Sequence, residues 1–100
     1  MSDAEADLQG LAQALERASP RLSTLDALIL AAVGLDLAAD SRSLAKAFGI
    51  GHALVLRAVG SLGEEPALLS IAARDARTQR CFLTLAPGGE ALVAAVKALN

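Results

Sequence analysis

Three guanidinium groups and one carboxylate fall inside the seven residues RDARTQR at 74–80, between the apolar runs ALLSIAA and CFLTLAP. Arginine is a permanently charged, planar donor that grips a phosphate, or the edge of a guanine, through two parallel hydrogen bonds. Arg74, Arg77 and Arg80 on one polar tip are therefore anion-binding chemistry, and Asp75 stands two residues before Arg77, close enough to orient it. A second set of polar groups lies upstream: Arg42 and Lys46, then His52 and Arg57.

Other chemistries lack their parts. One histidine and one cysteine supply too few soft ligands for a metal, and no paired spacing exists. No Ser/His/Asp or Cys/His set stands in a motif context, and no carboxylate pair is spaced for acid–base work in a cleft. Gly88-Gly89 lacks the GxGxxG or GxxxxGKS/T spacing of a phosphate loop. Neither an enzyme nor a cofactor is expected. Cys81 falls on the inward face of its strand and reads as a small buried hydrophobe rather than a redox thiol.

The net charge is −2, but it is unevenly spread. Residues 1–40 carry seven acids against two arginines, a balance of −5. Residues 41–80 carry six cations (Arg42, Lys46, Arg57, Arg74, Arg77 and Arg80) against three acids, a balance of +3. Residues 81–100 are neutral. A positive middle on an acidic chain is the asymmetry that marks an electrostatic footprint for a polyanion.

One hundred residues make a single domain, 1–100. Apolar types are 54% of the chain with only two aromatics, so the core must be Leu, Ala, Val and Ile, the palette of a small helical domain. The longest apolar run, ALILAAVGL at 27–35, is far shorter than the roughly 20 residues a membrane span takes. The acidic start MSDAEADLQG has no basic n-region, and the single cysteine excludes an internal disulfide; a cytoplasmic protein is expected.

The elements that must position the cations follow from periodicity. Leu8, Leu11, Leu15 and Ala18 fit a helix near 4–18, stopped by Pro20. Ser23 with Asp26 opens a second helix near 23–34, with Leu25, Leu28, Ile29, Ala32 and Val33 as its apolar stripe. LDLAAD reads as a short extended link, and Ser41 or Ser43 caps a third helix, 42–48. After the turn Gly49-Ile50-Gly51, a fourth helix at 51–63 turns Leu54, Val55, Ala58, Val59 and Leu62 inward and Ala53, Leu56, Arg57 and Gly60 outward, with His52 at the margin. The period then changes from 3.6 to 2. Leu69, Ile71 and Ala73, then Cys81, Leu83 and Leu85, are the inward positions of a hairpin at 68–86. Pro87 opens a last helix at 88–99.

Two short helices about a glycine turn, followed by a hairpin, are the order of a helix-turn-helix with a wing. The expected fold is α+β: a winged helix-turn-helix, mostly helical, with a two- or three-stranded antiparallel wing sheet. The stretch from about Leu22 to Leu92 resembles the MarR-type winged-helix transcriptional regulators. SRSLAKAFGI is similar to that family's first helix-turn-helix helix, DARTQR to its Asp-x-Arg wing, and LTLAPGG to its wing exit, where Ala86 stands for the family's capping threonine.

The resemblance implies a DNA-binding regulator with helix 51–63 in the major groove and wing 74–80 in the minor groove. Arg57, with His52 beside it, would meet base edges. Arg77 oriented by Asp75 would enter the minor groove, and Arg74, Arg80, Arg42 and Lys46 would hold phosphates. It also implies a homodimer through the N- and C-terminal helices, with Leu8/Leu11/Leu15 and Leu92/Val96/Leu99 packing on each other and on the second copy. The apolar outward face of helix 51–63 supports an alternative, a winged-helix protein-interaction module that does not bind DNA.

Overall fold

Leu11 and Leu15 seat the first helix, α1 (Asp3–Ala18), on the second, α2 (Thr24–Gly34), in a computed structural model that describes residues 3–99. Ser23 caps α2 in a reciprocal box: its hydroxyl accepts from the Asp26 N–H at 3.1 Å, and the Asp26 carboxylate accepts from the Ser23 N–H at 3.1 Å. The five-residue stripe read from the sequence understates the burial of this helix. Ala27, Leu30 and Ala31 are buried too, while Leu25 and Leu28 are only half-buried. The cause is position, because α2 touches α1 and three further elements: a fourth helix, the last helix and the second strand. A helix enclosed on most sides has no single apolar stripe.

The link between α2 and the third helix, α3 (Ser41–Phe48), is not simply extended. Asp36 adopts a left-handed backbone at φ 57°, and the chain then runs alongside the second strand. There the Leu83 N–H donates to the Ala39 carbonyl at 2.7 Å and Asp40 forms a single bridge to Phe82. Asp40, rather than Ser41 or Ser43, caps α3, its carboxylate accepting from the Ser43 N–H at 2.9 Å and the Ser43 hydroxyl at 2.8 Å. Gly49 closes α3 in the left-handed region at φ 66°, where a side chain would be strained, and the chain turns into α4 (His52–Leu62).

Strands β1 (Leu69–Arg74) and β2 (Cys81–Leu85) pair antiparallel, Leu69 opposite Leu85 and Arg74 opposite Cys81. The register slips between Ile71 and Ala73, a bulge that ends the inward–outward alternation. Ile71 and Ala73, expected inside, are exposed, and Leu69 is the one buried residue of β1. In β2 the alternation holds: Cys81 and Leu83 are buried and Phe82 is exposed. The last helix, α5 (Pro87–Ala98), starts at Pro87 with no side-chain cap at Ala86, and it packs on α1 and α2. Among the described residues the fold is thus α+β, five helices and one two-stranded antiparallel sheet, and no helix is long and apolar enough to cross a membrane.

The terminal helices use most of their apolar residues within the chain. Leu11, Leu15, Val93 and Val96 are buried, and Leu8 and Leu92 are half-buried. Among the described residues at the two chain ends, Leu99, 84% exposed, is the one large apolar side chain that is fully open to another surface.

Candidate nucleic-acid interface

The orientation of α4 departs from the periodic reading at two residues. Val55, Ala58, Val59 and Leu62 form its buried face. At 100° per residue, Leu54 and Leu56 flank that face about equally on opposite sides, so spacing alone assigns neither. The hairpin decides between them. Leu56 is half-buried beside Ile71, Arg74 and Gln79, whereas Leu54, expected inside, is 47% exposed. The solvent stripe of α4 is therefore Ala53, Leu54, Arg57, Gly60 and Ser61, with Arg57 at its centre and no other cation.

The loop between the strands is closed by its own backbone and polar side chains. The Asp75 N–H donates to the Arg80 carbonyl at 2.9 Å and the Gln79 N–H to the Asp75 carbonyl at 2.8 Å. Gln79 sits at φ 62°, its side chain donating to the Ala76 carbonyl at 3.0 Å. The Asp75 carboxylate accepts from the Arg77 backbone N–H at 2.9 Å. It shapes the turn and does not hold the Arg77 guanidinium, which corrects the role expected for it.

Three contacts fasten this loop to α3. Ser41, fully buried, accepts from the Cys81 N–H at 2.9 Å. Arg42 donates through Nη2 to the Thr78 carbonyl at 2.7 Å. Arg80 places Nε 3.5 Å from the Asp40 carboxylate. Arg42 and Arg80, expected as free phosphate contacts, are thus partly engaged within the chain, although both residues remain exposed. Arg57, Arg74, Arg77 and Lys46 are exposed, and among the described residues their side chains make no hydrogen bond or ion pair.

His52 is not a free base reader either. Its Nε2 lies 2.7 Å from the Ser41 hydroxyl, which already accepts from Cys81 and so has its own proton to give to a neutral ring. Burial and the nearby charges of Arg42 and Arg80 hold the imidazole below its ordinary pKa of 6.5, against a smaller opposing pull from Asp40. Burial also raises the Asp40 pKa. The Ser43 N–H and hydroxyl, the Arg80 charge and the Arg42 N–H outweigh it and bring the group below its ordinary 3.8.

A histidine whose folded pKa is lowered stabilises the fold fully above its unfolded value, and that contribution is lost as pH falls through the folded value. Stability measured by chemical denaturation should therefore begin to drop as pH goes below 6.5. His52→Gln should flatten the profile there and leave the loss that sets in below pH 3.8 as the Asp40 carboxylate, held below its ordinary pKa in the fold, becomes protonated.

Ser41 and Asp40 escaped the sequence reading as members of the site. Asp40 followed by Ser43 is itself a capping signal, but four polar residues in DSRS offered several caps. The hub role of Ser41 depends on a strand 40 residues away, which no local pattern encodes. Cys81, as expected, is buried, its thiol 3.7 Å from the Gln79 carbonyl. Among the described residues no group of three His, Cys, Asp or Glu is placed to hold a metal.

Comparison with models of known protein families, with curated proteins and with solved structures finds no match to this chain.

Proposed function

We propose that this chain is a DNA-binding transcriptional regulator of the winged-helix kind. In this reading α3, the Gly49 turn and α4 act as a helix-turn-helix, with α4 in the major groove, and the loop 74–80 is a wing that reaches the minor groove. The observation that carries it is the division of labour among the cations. Arg42 and Arg80, with Ser41, brace the loop on α3, while Arg57, Arg74, Arg77 and Lys46 point free charge outward from the braced frame. The backbone of a self-bonded loop has little freedom left to lose on meeting a polyanion, so the ordering cost falls on the exposed side chains. Arg57 is then the guanine-binding group, Arg77 the minor-groove group, and Arg74 and Lys46 the phosphate contacts.

So few contacts per chain make one copy a weak binder, and specific recognition calls for two. Leu99 and the shallow groove beside it, lined by Ala14, Arg17, Ala18 and Val96, are the surface we assign to self-association. Selection from a random duplex library should return paired half-sites about 10–10.5 base pairs apart, or a multiple of that, and light scattering at micromolar concentration should show a dimer. A strictly monomeric protein that selects no sequence counts against the regulator.

The second reading, a protein-interaction module, draws on two observations: Leu54 and Phe82 are exposed, and the α4 stripe holds a single cation. It takes precedence if duplex is not bound at low salt.

A further inference from the structure

The solvent stripe of α4 is short of hydrogen-bonding groups. Arg57 and Ser61 are its only side-chain donors; Ala53, Leu54 and Gly60 have none, and His52 is half-buried with Nε2 committed to Ser41. One bidentate arginine–guanine pair is worth about 1–3 kcal/mol of discrimination. Specific sites are typically about 10³- to 10⁷-fold preferred over random duplex, which is several such pairs. Hydrogen-bond readout from α4 alone therefore falls short, and the apolar residues of the stripe must contribute if this helix selects a sequence.

Leu54 is the residue placed to do so. It is large, 47% exposed, and within the first turn of α4, the end of a recognition helix that meets base edges. It lies one helical turn before Arg57, about 4.5 Å along the axis, comparable with the 3.4 Å step between stacked base pairs. In the major groove the one apolar group a base pair presents is the thymine 5-methyl. We infer that α4 reads a guanine with thymine one or two steps away, Arg57 bonding the guanine O6 and N7 and Leu54, with Ala53, packing on the thymine methyl. Leu54 is then a specificity-determining residue. This inference rests on the DNA-binding reading and adds to it the class of sequence recognised.

The test compares a selected duplex with the same duplex carrying deoxyuridine for every thymine, which deletes the methyl and keeps the hydrogen-bonding edges. Binding is read by fluorescence anisotropy at fixed salt. Wild type should bind the thymine duplex about three- to tenfold more tightly, the scale of one buried methyl or two. Leu54→Ala should bind both duplexes alike, near the affinity of wild type for the uracil form. Leu54 is half-exposed, so circular dichroism should show this variant folded. Arg57→Ala should weaken both and keep the thymine preference. Equal binding by wild type with normal salt dependence overturns the methyl readout and leaves DNA binding standing. A preference that persists in Leu54→Ala assigns the methyl effect elsewhere and overturns the role of Leu54. No duplex binding at any salt overturns both readings and favours a protein partner for the same stripe.

Discussion

Gly89→Ala should lower stability by about 3 kcal/mol, a fall in Tm of roughly 12–20 °C for a domain of this size. Gly89 is buried in the first turn of α5, and a Cβ there would lie inside contact distance of the Leu68 carbonyl oxygen. That oxygen cannot retreat cheaply, because it accepts from the Ala86 N–H at 3.1 Å. The Leu68 N–H in turn donates to the Leu62 carbonyl at 2.9 Å, at the end of α4. A displaced Leu68 would thus disturb the start of the sheet, α4 and α5 together. Gly60→Ala is the contrasting case. Gly60 lies in the exposed stripe of α4 with nothing within 4 Å of an added Cβ, so alanine should stabilise the helix by about 0.5–1 kcal/mol. Thermal and denaturant unfolding of the two variants should move in opposite directions.

The largest functional effect is expected from replacing Arg57, Arg74 and Arg77 together by alanine. Among the described residues none of the three side chains makes a hydrogen bond or ion pair, so stability should change by no more than about 0.5 kcal/mol. Affinity for duplex should nonetheless fall on the order of 10²- to 10³-fold at low salt, since each chain of a dimer loses its guanine contact, its minor-groove contact and one of its phosphate contacts. Arg42→Ala and Arg80→Ala form the matched comparison. Each removes a brace between the loop and α3, so each should lower stability modestly as well as binding. Separation of the two groups of arginine by their stability effects checks the division between bracing and contacting residues.

Much of the frame was legible from local pattern. The capping box at Ser23, the stop before Pro20 and the switch of period after Pro66 are signals carried by a few neighbouring residues, and the elements begin and end close to them. What was not legible depends on partners distant in sequence. Leu54 and Leu56 are equivalent by helical phase until the hairpin covers one of them. The alternation of β1 gives no warning of the bulge that turns Ala73 to the face of the exposed Phe82. Within the site, the cations could be named from composition, but their roles could not: Arg80 and Arg77 look alike in RDARTQR, and only the position of Asp40 separates the braced one from the free one. Asp75 illustrates the same limit, since a carboxylate two residues from an arginine can bond either its guanidinium or its backbone, and here it bonds the backbone.

The most direct test of the DNA-binding claim is the salt dependence of duplex affinity. A labelled duplex of random sequence, titrated with wild type and with the Arg57/Arg74/Arg77 triple variant across a range of salt, reports the number of phosphate charges neutralised. The expected wild-type result is a line of log affinity against log salt with a slope of about −4 to −5, corresponding to four to six contacts at about −0.9 each. The triple variant should give a clearly shallower line. Wild type and variant that bind equally weakly, with the same slope, would contradict it and leave the arginine loop as a solvated turn.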